Sequence, residues 1–343
     1  MNPSEKPSFS NHEFEAPLFS IGVTTYNRPK LLKETLISIL TQTQSDFEVI
    51  IGNDFVEQPI SKETLGMHDP RLRIINYPQN LGEFENMNTL LAKSKGRYFT
   101  WLGDDDMYLP TFLENIHQAL TKFDFPSCVF TTFISGATPP DNMCDFHTAQ
   151  PEGELISGRQ FLQRYLNRSI QVQGLWGVFD REYITRLGGI KLLCNEFHHP
   201  LYGDNLLAIQ CGLLEKLVYI DAPLVFFRTH EKSVSWTTSD LGAYITAQEN
   251  LWQESMTIFR HESLADDFES NLSLLFKWSI RDILAVVRRS QKVNIPQIKM
   301  YLSLLRKYMK FLKSPRFYWQ TRMYEVRITL RLILSIMKKN YYL

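Results

Sequence analysis

A chain of 343 residues, 44% of them apolar, can bury a substantial core as one large domain or two unequal ones, which excludes a fibrous or natively unfolded protein. Its four cysteines form no C-x-x-C pair, the opening MNPSEKPSFSNHEFEAP lacks a basic-then-apolar leader pattern, and the best apolar run, ITLRLILSIM, is short and carries Arg331, so a reduced, cytoplasmic chain that does not cross a membrane is expected. The formal net charge of zero hides a division: from Lys277 to Leu343 there are sixteen basic and two acidic residues, whereas the rest holds 21 basic and 35 acidic. A basic tail of this kind suits an anionic partner, a phospholipid face or nucleic acid, or else it packs on the acidic part.

In chain order, residues 1–16 read as a disordered arm. FSIGVTT, FEVIIGND, LRIINY and RYFTWLGDDD are short β-rich runs, three of them ending in polar or acidic residues. Helical patterns lie between some of them. In NRPKLLKETLISILTQT, Asn27 is placed to cap, Pro29 suits the first turn, and Leu31, Leu32, Leu36, Ile39 and Leu40 share a face. NLGEFENMNTLLAKSKG and LPTFLENIHQALTKF read as two more helices. Alternating strands and helices predict an α/β fold, with a largely parallel sheet covered on both faces and ligands bound beyond the carboxyl ends of its strands. Next come strands at CVFTTFI and LWGVFD, a helix at ISGRQFLQRYL, and two short strands about Pro223 in LVYIDAPLVFFR. From Leu241 onward the pattern is helical, with breaks near Pro296 and Pro315. The expected division is 17–238 for the α/β part and 239–343 for a basic helical region.

Three adjacent carboxylates, Asp104, Asp105 and Asp106, follow the strand RYFTWL. A hard divalent cation prefers oxygen ligands, and one or two carboxylates together with a substrate diphosphate can hold Mg²⁺ or Mn²⁺. The bland alternative is a solvated acidic turn. An EF-hand loop is excluded because no Gly and no terminal Glu follow at its spacing. His230 can complete a metal shell or, protonated, contact a diphosphate, with Arg228, Ser233 and Ser235 beside it. Trp176 suits either an apolar wall for a bound ligand or the core. CNEFHHPLYGD, with Cys194, His198 and His199, lacks structural-zinc spacing and reads as a mobile loop beside the site.

The stretch SIGVTTYNRPKLL resembles the opening strand and loop of family 2 glycosyltransferases, VIIGND their strand ending in D-D or N-D, and WLGDDDMYLP their D-x-D motif with its proline-led helix. FRTHEKSVS looks like the family's R-x-H-x-x-S-x-S segment, and LYGDNLLAIQ is similar to its E-D helix start, with Gly203 where Glu is usual. The resemblance implies a GT-A fold, a mixed and mostly parallel sheet flanked by helices, here with a helical C-terminal extension. It implies a metal-dependent transferase that moves a sugar from a nucleotide-diphosphate donor, a UDP-sugar favoured, to a saccharide or lipid-linked hydroxyl, with inversion, in surface polysaccharide or lipopolysaccharide assembly. Carried over, Thr24 and Tyr26 line the base pocket, Asp54 accepts from the base, Asn27 and Arg28 are further nucleotide contacts, Asp104 or Asp105 meets the ribose, Asp106 binds the metal, and Asp204 is the catalytic base. Asp204 also suits a plain helix N-cap.

Three other readings stay open: a non-catalytic nucleotide-sugar-binding scaffold, for which Gly203 speaks; a basic-tail module binding nucleic acid or membrane; and a metal-dependent hydrolase using the Asp triplet. Against nucleic acid, the tail has no reader motif and its aromatics recur at helical spacings. The composition of that tail fits helices lying on an anionic leaflet, so peripheral attachment to the inner face of the cell membrane is expected.

Overall fold

The computed structural model describes residues 16–140, 152–195, 199–230, 240–289 and 295–341. Residues 1–15 of the expected arm, His198, Ser233 and Ser235 lie outside these residues. Three apolar runs become the parallel centre of a nine-stranded mixed sheet: β1 (Phe19–Thr25), β2 (Phe47–Asn53) and β4 (Tyr98–Gly103). β1 and β2 are buried almost throughout, as strands covered on both faces must be. β3 (Leu72–Asn76) extends the sheet beside β2.

The helices connecting these strands are α1 (Pro29–Leu40), a single turn α2 (Lys62–Leu65), and α3 (Glu83–Lys93), while α4 (Phe112–Lys122) follows β4 and the two-residue β5 (Met107–Tyr108). Pro29 opens α1 as expected, but the N-cap is Arg28, whose side chain makes no cap bond. Asn27 instead adopts a left-handed φ of 53°, which Asn tolerates better than most residues. α4 buries Phe112, Leu113, Ile116 and Leu120, the stripe that its 3.6-residue period predicts.

The second half of the sheet is mixed. β8 (Val178–Asp180) runs antiparallel to both β4 and β6 (Cys128–Gly136), and β6 runs parallel to β9 (Leu217–Arg228). The full order is β3-β2-β1-β4-β8-β6-β9-β5, with β7 (Glu154–Ile156) also on β9. LVYIDAPLVFFR thus forms one strand, not two. Its register against β6 shifts at Thr132, which faces Pro223, and Pro223 falls between the stretches of β9 that β7 and β5 cover. A bulge therefore absorbs the proline without breaking the ladder.

Behind the sheet lie α5 (Gly158–Leu166), α6 (Arg181–Arg186) and α7 (Gly203–Gln210), followed by α8 (Leu241–Phe259), α9 (Phe268–Arg289), α10 (Ile295–Met309) and α11 (Pro315–Tyr341). The core of these last four helices is continuous with Leu162 and Leu166 of α5 and Leu206 and Ile209 of α7. One hydrophobic interior thus spans the expected division at 238/239. Among the described residues no helix is long and apolar enough to cross a membrane, and Cys128, Cys194 and Cys211 are free and buried.

Candidate active site

A cavity of about 720 Å³ opens beyond β1 and β4 and runs from Thr24 and the Asp triplet, past Trp176, to Asp204 and on to Trp278 and Asp282 of α9. Sheet register brings its first wall together: Thr24 lies opposite both Gly52 and Gly103, so the carboxyl ends of the three central strands finish level. β4 ends at Gly103, and the Asp106 N–H closes the following turn on the Gly103 carbonyl at 3.2 Å. Three carboxylates therefore leave the sheet within one turn.

Each of the three has a different environment. Asp104 is buried and accepts hydrogen bonds from the Thr25 hydroxyl at 2.7 Å and the Arg28 guanidinium at 3.2 Å. Burial raises its pKa to about 6, with Asp105 adding to the rise and Arg28 opposing it. Asp105 takes Arg28 at 2.9 Å and His230 Nε2 at 3.0 Å on the same oxygen. Asp106 accepts the Arg228 N–H at 3.1 Å, and its backbone carbonyl accepts the Thr35 hydroxyl at 2.7 Å. Burial and then the Asp105 charge push the Asp106 carboxyl well above the ordinary carboxylate range. Such a pair of crowded acids is relieved by a cation.

The remaining oxygens show where a cation could sit. A β-carbon on Gly103 would stand 2.9 Å from Asp105 Oδ1 and 3.3 Å from Asp106 Oδ2. Neither oxygen accepts a hydrogen bond from the described residues, so two hard donors converge over a bare α-carbon. Among the described residues no group of three or more His, Cys, Asp and Glu side chains forms a metal cage. The donor set fits a cation whose other ligands come from a bound diphosphate, and it does not fit an all-protein site.

Arg228 ends β9 as a clamp: its Nε donates to the Asp105 carbonyl at 2.9 Å and its Nη2 to Glu34 at 2.6 Å. Tyr26, Asn27 and Asp54 stand off the cavity wall. Tyr26 is 51% exposed, with its ring held edge-on by Phe55 at 5.2 Å. Asp54 is buried, and its two oxygens accept the N–H groups of Leu81 at 2.6 Å and Gly82 at 2.8 Å. Trp176 is both wall and core, lining the cavity while packing on Phe133 and Phe227.

Asp204 stands in the first turn of α7, whose N-cap is Tyr202, so the plain N-cap reading does not hold. Burial raises its carboxyl to about 6, while the Asn205 backbone N–H opposes the rise. Two other carboxylates on that wall are engaged: Glu83 pairs with His199, and Asp282 accepts the Tyr202 hydroxyl. Asp204 has no side-chain hydrogen-bond partner among the described residues. At Gly203 a β-carbon would lie 2.7 Å from the Lys191 carbonyl, so this backbone has no room for the Glu of the family pattern.

Sequence reasoning missed Glu83, Arg168, Tyr202, Tyr244, Trp278 and Asp282, all of which line the cavity. They lie in helices and turns whose periodicity reports packing, and no local motif marks them. Cys194, read with the mobile CNEFHHPLYGD loop, is a core residue.

Residues 20–183 match the sequence profile of Glycosyl transferase family 2. An uncharacterized glycosyltransferase of Haemophilus influenzae is 34% identical over 110 residues, covering 32% of this chain and 34% of that protein. The chain spans about a third of the length of such curated relatives. Glycosyltransferase GlyG of Streptococcus pneumoniae is 25% identical over 232 residues, 65% of this chain and 75% of that protein. Among solved structures, S. aureus TarS 1–349 in complex with UDP-GlcNAc is similar in fold, with a TM-score of 0.52 at 12% identity over 94% of this chain and 92% of that one.

Proposed function

We propose that the chain, whose residues 20–183 match the Glycosyl transferase family 2 profile, is a metal-dependent enzyme that moves a sugar from a nucleoside-diphosphate donor to the hydroxyl of a saccharide or lipid-linked acceptor of the surface-polysaccharide kind. The observation that carries this reading is the single cavity that joins the Asp triplet to Asp204. The similar TarS structure holds UDP-GlcNAc, which favours a UDP-sugar as donor.

In this reading Thr24 and the exposed ring of Tyr26 border the base, the latter as a stacking face. Asp54 shapes the base pocket by holding the Leu81–Gly82 turn. Arg28 and His230 position Asp105, and Arg228 positions Asp106, so that these two carboxylates would hold Mg²⁺ or Mn²⁺. When bound, the cation supplies Lewis-acid stabilisation of the departing diphosphate. Asp204 accepts the proton of the attacking hydroxyl, and a base whose pKa lies near 6 is ionised at neutral pH while staying basic enough to work. With Asp204 as the base, direct displacement by the acceptor hydroxyl gives inversion at the anomeric carbon.

The helical region supplies the membrane face. On α11, Trp319, Met323, Val326 and Leu330 are 60%, 71%, 44% and 57% exposed at helical spacing, flanked by Arg316, Arg322 and Arg327. An apolar stripe edged by arginines fits the headgroup layer of an anionic leaflet. It supports peripheral attachment, which would bring the cavity to lipid-linked acceptors.

The test of the enzymatic reading is nucleotide release from a panel of UDP- and GDP-sugars with Mn²⁺ and a saccharide acceptor mixture. Release that depends on Mn²⁺ and is lost in Asp204→Asn is expected. A protein that binds nucleotide without turnover of any donor is a scaffold.

A further inference from the structure

The far end of the cavity, away from the triplet, carries an arginine. Arg168 lines it, and its guanidinium lies 5.9 Å over the ring of Trp278. Among the described residues Arg168 makes no ion pair. Lys277 and Arg281 stand four residues apart on α9, on either side of Trp278 in sequence, and their polar contacts are neutral: Lys277 donates to Gln320 at 3.4 Å and Arg281 to the Tyr324 hydroxyl. Burial and the neighbouring Arg281 charge hold both Arg168 and Lys277 below their ordinary pKa values. Asp282 is the nearby carboxylate, and it accepts the Tyr202 hydroxyl. Arg168 thus stands on the cavity wall with Asp282 and Trp278, while Lys277 and Arg281 flank that wall on the side of α9 that meets α11.

The backbone of Arg168 is a second, independent observation. Its φ of 63° is left-handed, and it follows the C-cap of α5, where the Ser169 N–H bonds back to the Arg164 carbonyl at 2.9 Å. That is the position where helices ordinarily place glycine, because a β-carbon costs energy there. An arginine with no ion pair at a glycine position calls for a function outside folding.

We propose that Arg168 is the anion contact of an acceptor subsite for a saccharide bearing a phosphate or carboxylate, with Trp278 giving an apolar face to the sugar ring and Lys277 and Arg281 adding positive charge beside the site. The assignment rests on the glycosyltransferase reading, since it places the acceptor at the end of the cavity opposite the donor. Arginine matches planar oxyanions through paired N–H donors, and a charge-assisted contact in a partly enclosed site outweighs a neutral one.

The experiment uses the full chain with Mn²⁺ and saturating UDP to fill the donor end, and titrates glucose 6-phosphate against glucose by calorimetry. The expected result is that the phosphorylated sugar binds at least about tenfold more tightly, the size of one charge-assisted hydrogen bond. Arg168→Gly should abolish that preference while leaving the melting temperature unchanged or higher and UDP binding intact, because glycine accepts the left-handed φ freely. Lys277→Gln with Arg281→Gln should weaken the preference as well. Equal binding of the two sugars, or a preference that survives in Arg168→Gly, overturns the subsite. So does a variant that loses sedimentation with phosphatidylglycerol vesicles yet keeps its preference for glucose 6-phosphate, which would make the cations a lipid contact. Absence of UDP binding in the wild type would instead overturn the donor reading on which the acceptor assignment rests.

Discussion

At the scale of single residues, the role of base proposed for Asp204 would come at a cost to stability. Its carboxyl is raised from 3.8 to about 6 by burial, so ionisation is harder in the folded chain than in the unfolded one. The sign follows from linkage: the stability contributed by the protonated form is fully present below about pH 3.8 and is lost as the pH rises through about 6. Asp204→Asn should therefore melt higher than the wild type above pH 6, with the gap closing toward pH 4, while kcat falls by about 10²- to 10⁴-fold and donor affinity stays unchanged. The wild-type kcat/KM profile should rise through an acid limb near pH 6. A loss of donor affinity with kcat preserved would remove Asp204 from the role of base. Asp106→Asn should leave the fold intact, since the amide oxygen can still accept the Arg228 N–H, and should abolish the response of donor binding to Mn²⁺. Mn²⁺ titration of that variant reads the effect directly.

At the scale of elements, Gly203 fixes the entry into α7. Its packing on the Lys191 carbonyl leaves no room for a side chain at this position, where family 2 glycosyltransferases usually carry Glu. Gly203→Glu, which would bring the family residue back, should lower both activity and thermal stability, and Gly203→Ala should cost about 1–3 kcal/mol through overpacking. A more active Gly203→Glu enzyme would contradict this account. The first half of the sheet was legible in sequence because β1, β2 and β4 are continuous apolar runs ending in polar motifs, and α1, α3 and α4 carry clear helical stripes. The two-residue β5 and three-residue β7 were not, because such short strands exist only through their pairing with β9. The proline in β9 looked like a break, but its tolerance depends on which neighbours stop beside it. The triplet, Arg28, His230, Trp176 and Asp204 could be singled out from local motifs, and the structure brings them to one cavity or its immediate edge. The α9 wall could not be foreseen, since Trp278 and Asp282 reach the site through tertiary packing of a helix remote in sequence.

At the scale of the molecule, the charge division becomes a geometry. Glu325, one of the two acidic residues after Lys277, is buried and paired with Arg306 and Arg322, which holds α11 in register and leaves its Trp319–Leu330 stripe outward. The protein should sediment with anionic vesicles and not with neutral ones, and binding should weaken as salt shortens the Debye length from about 10 to 3 Å. Trp319→Ala with Met323→Ala should reduce sedimentation without changing nucleotide affinity, since both side chains are exposed and remote in sequence from the triplet. Equal binding to neutral vesicles would contradict a charge-directed surface. The whole account turns on the donor end of the cavity, and calorimetric titration of UDP and GDP into the wild type, with Mn²⁺ and then with EDTA, tests it most directly. One of the two nucleotides should bind with Mn²⁺ and lose at least about tenfold in affinity in EDTA and in Asp106→Asn, but not in Asp204→Asn. Failure to bind either nucleotide, or binding indifferent to both Mn²⁺ and Asp106, would contradict it.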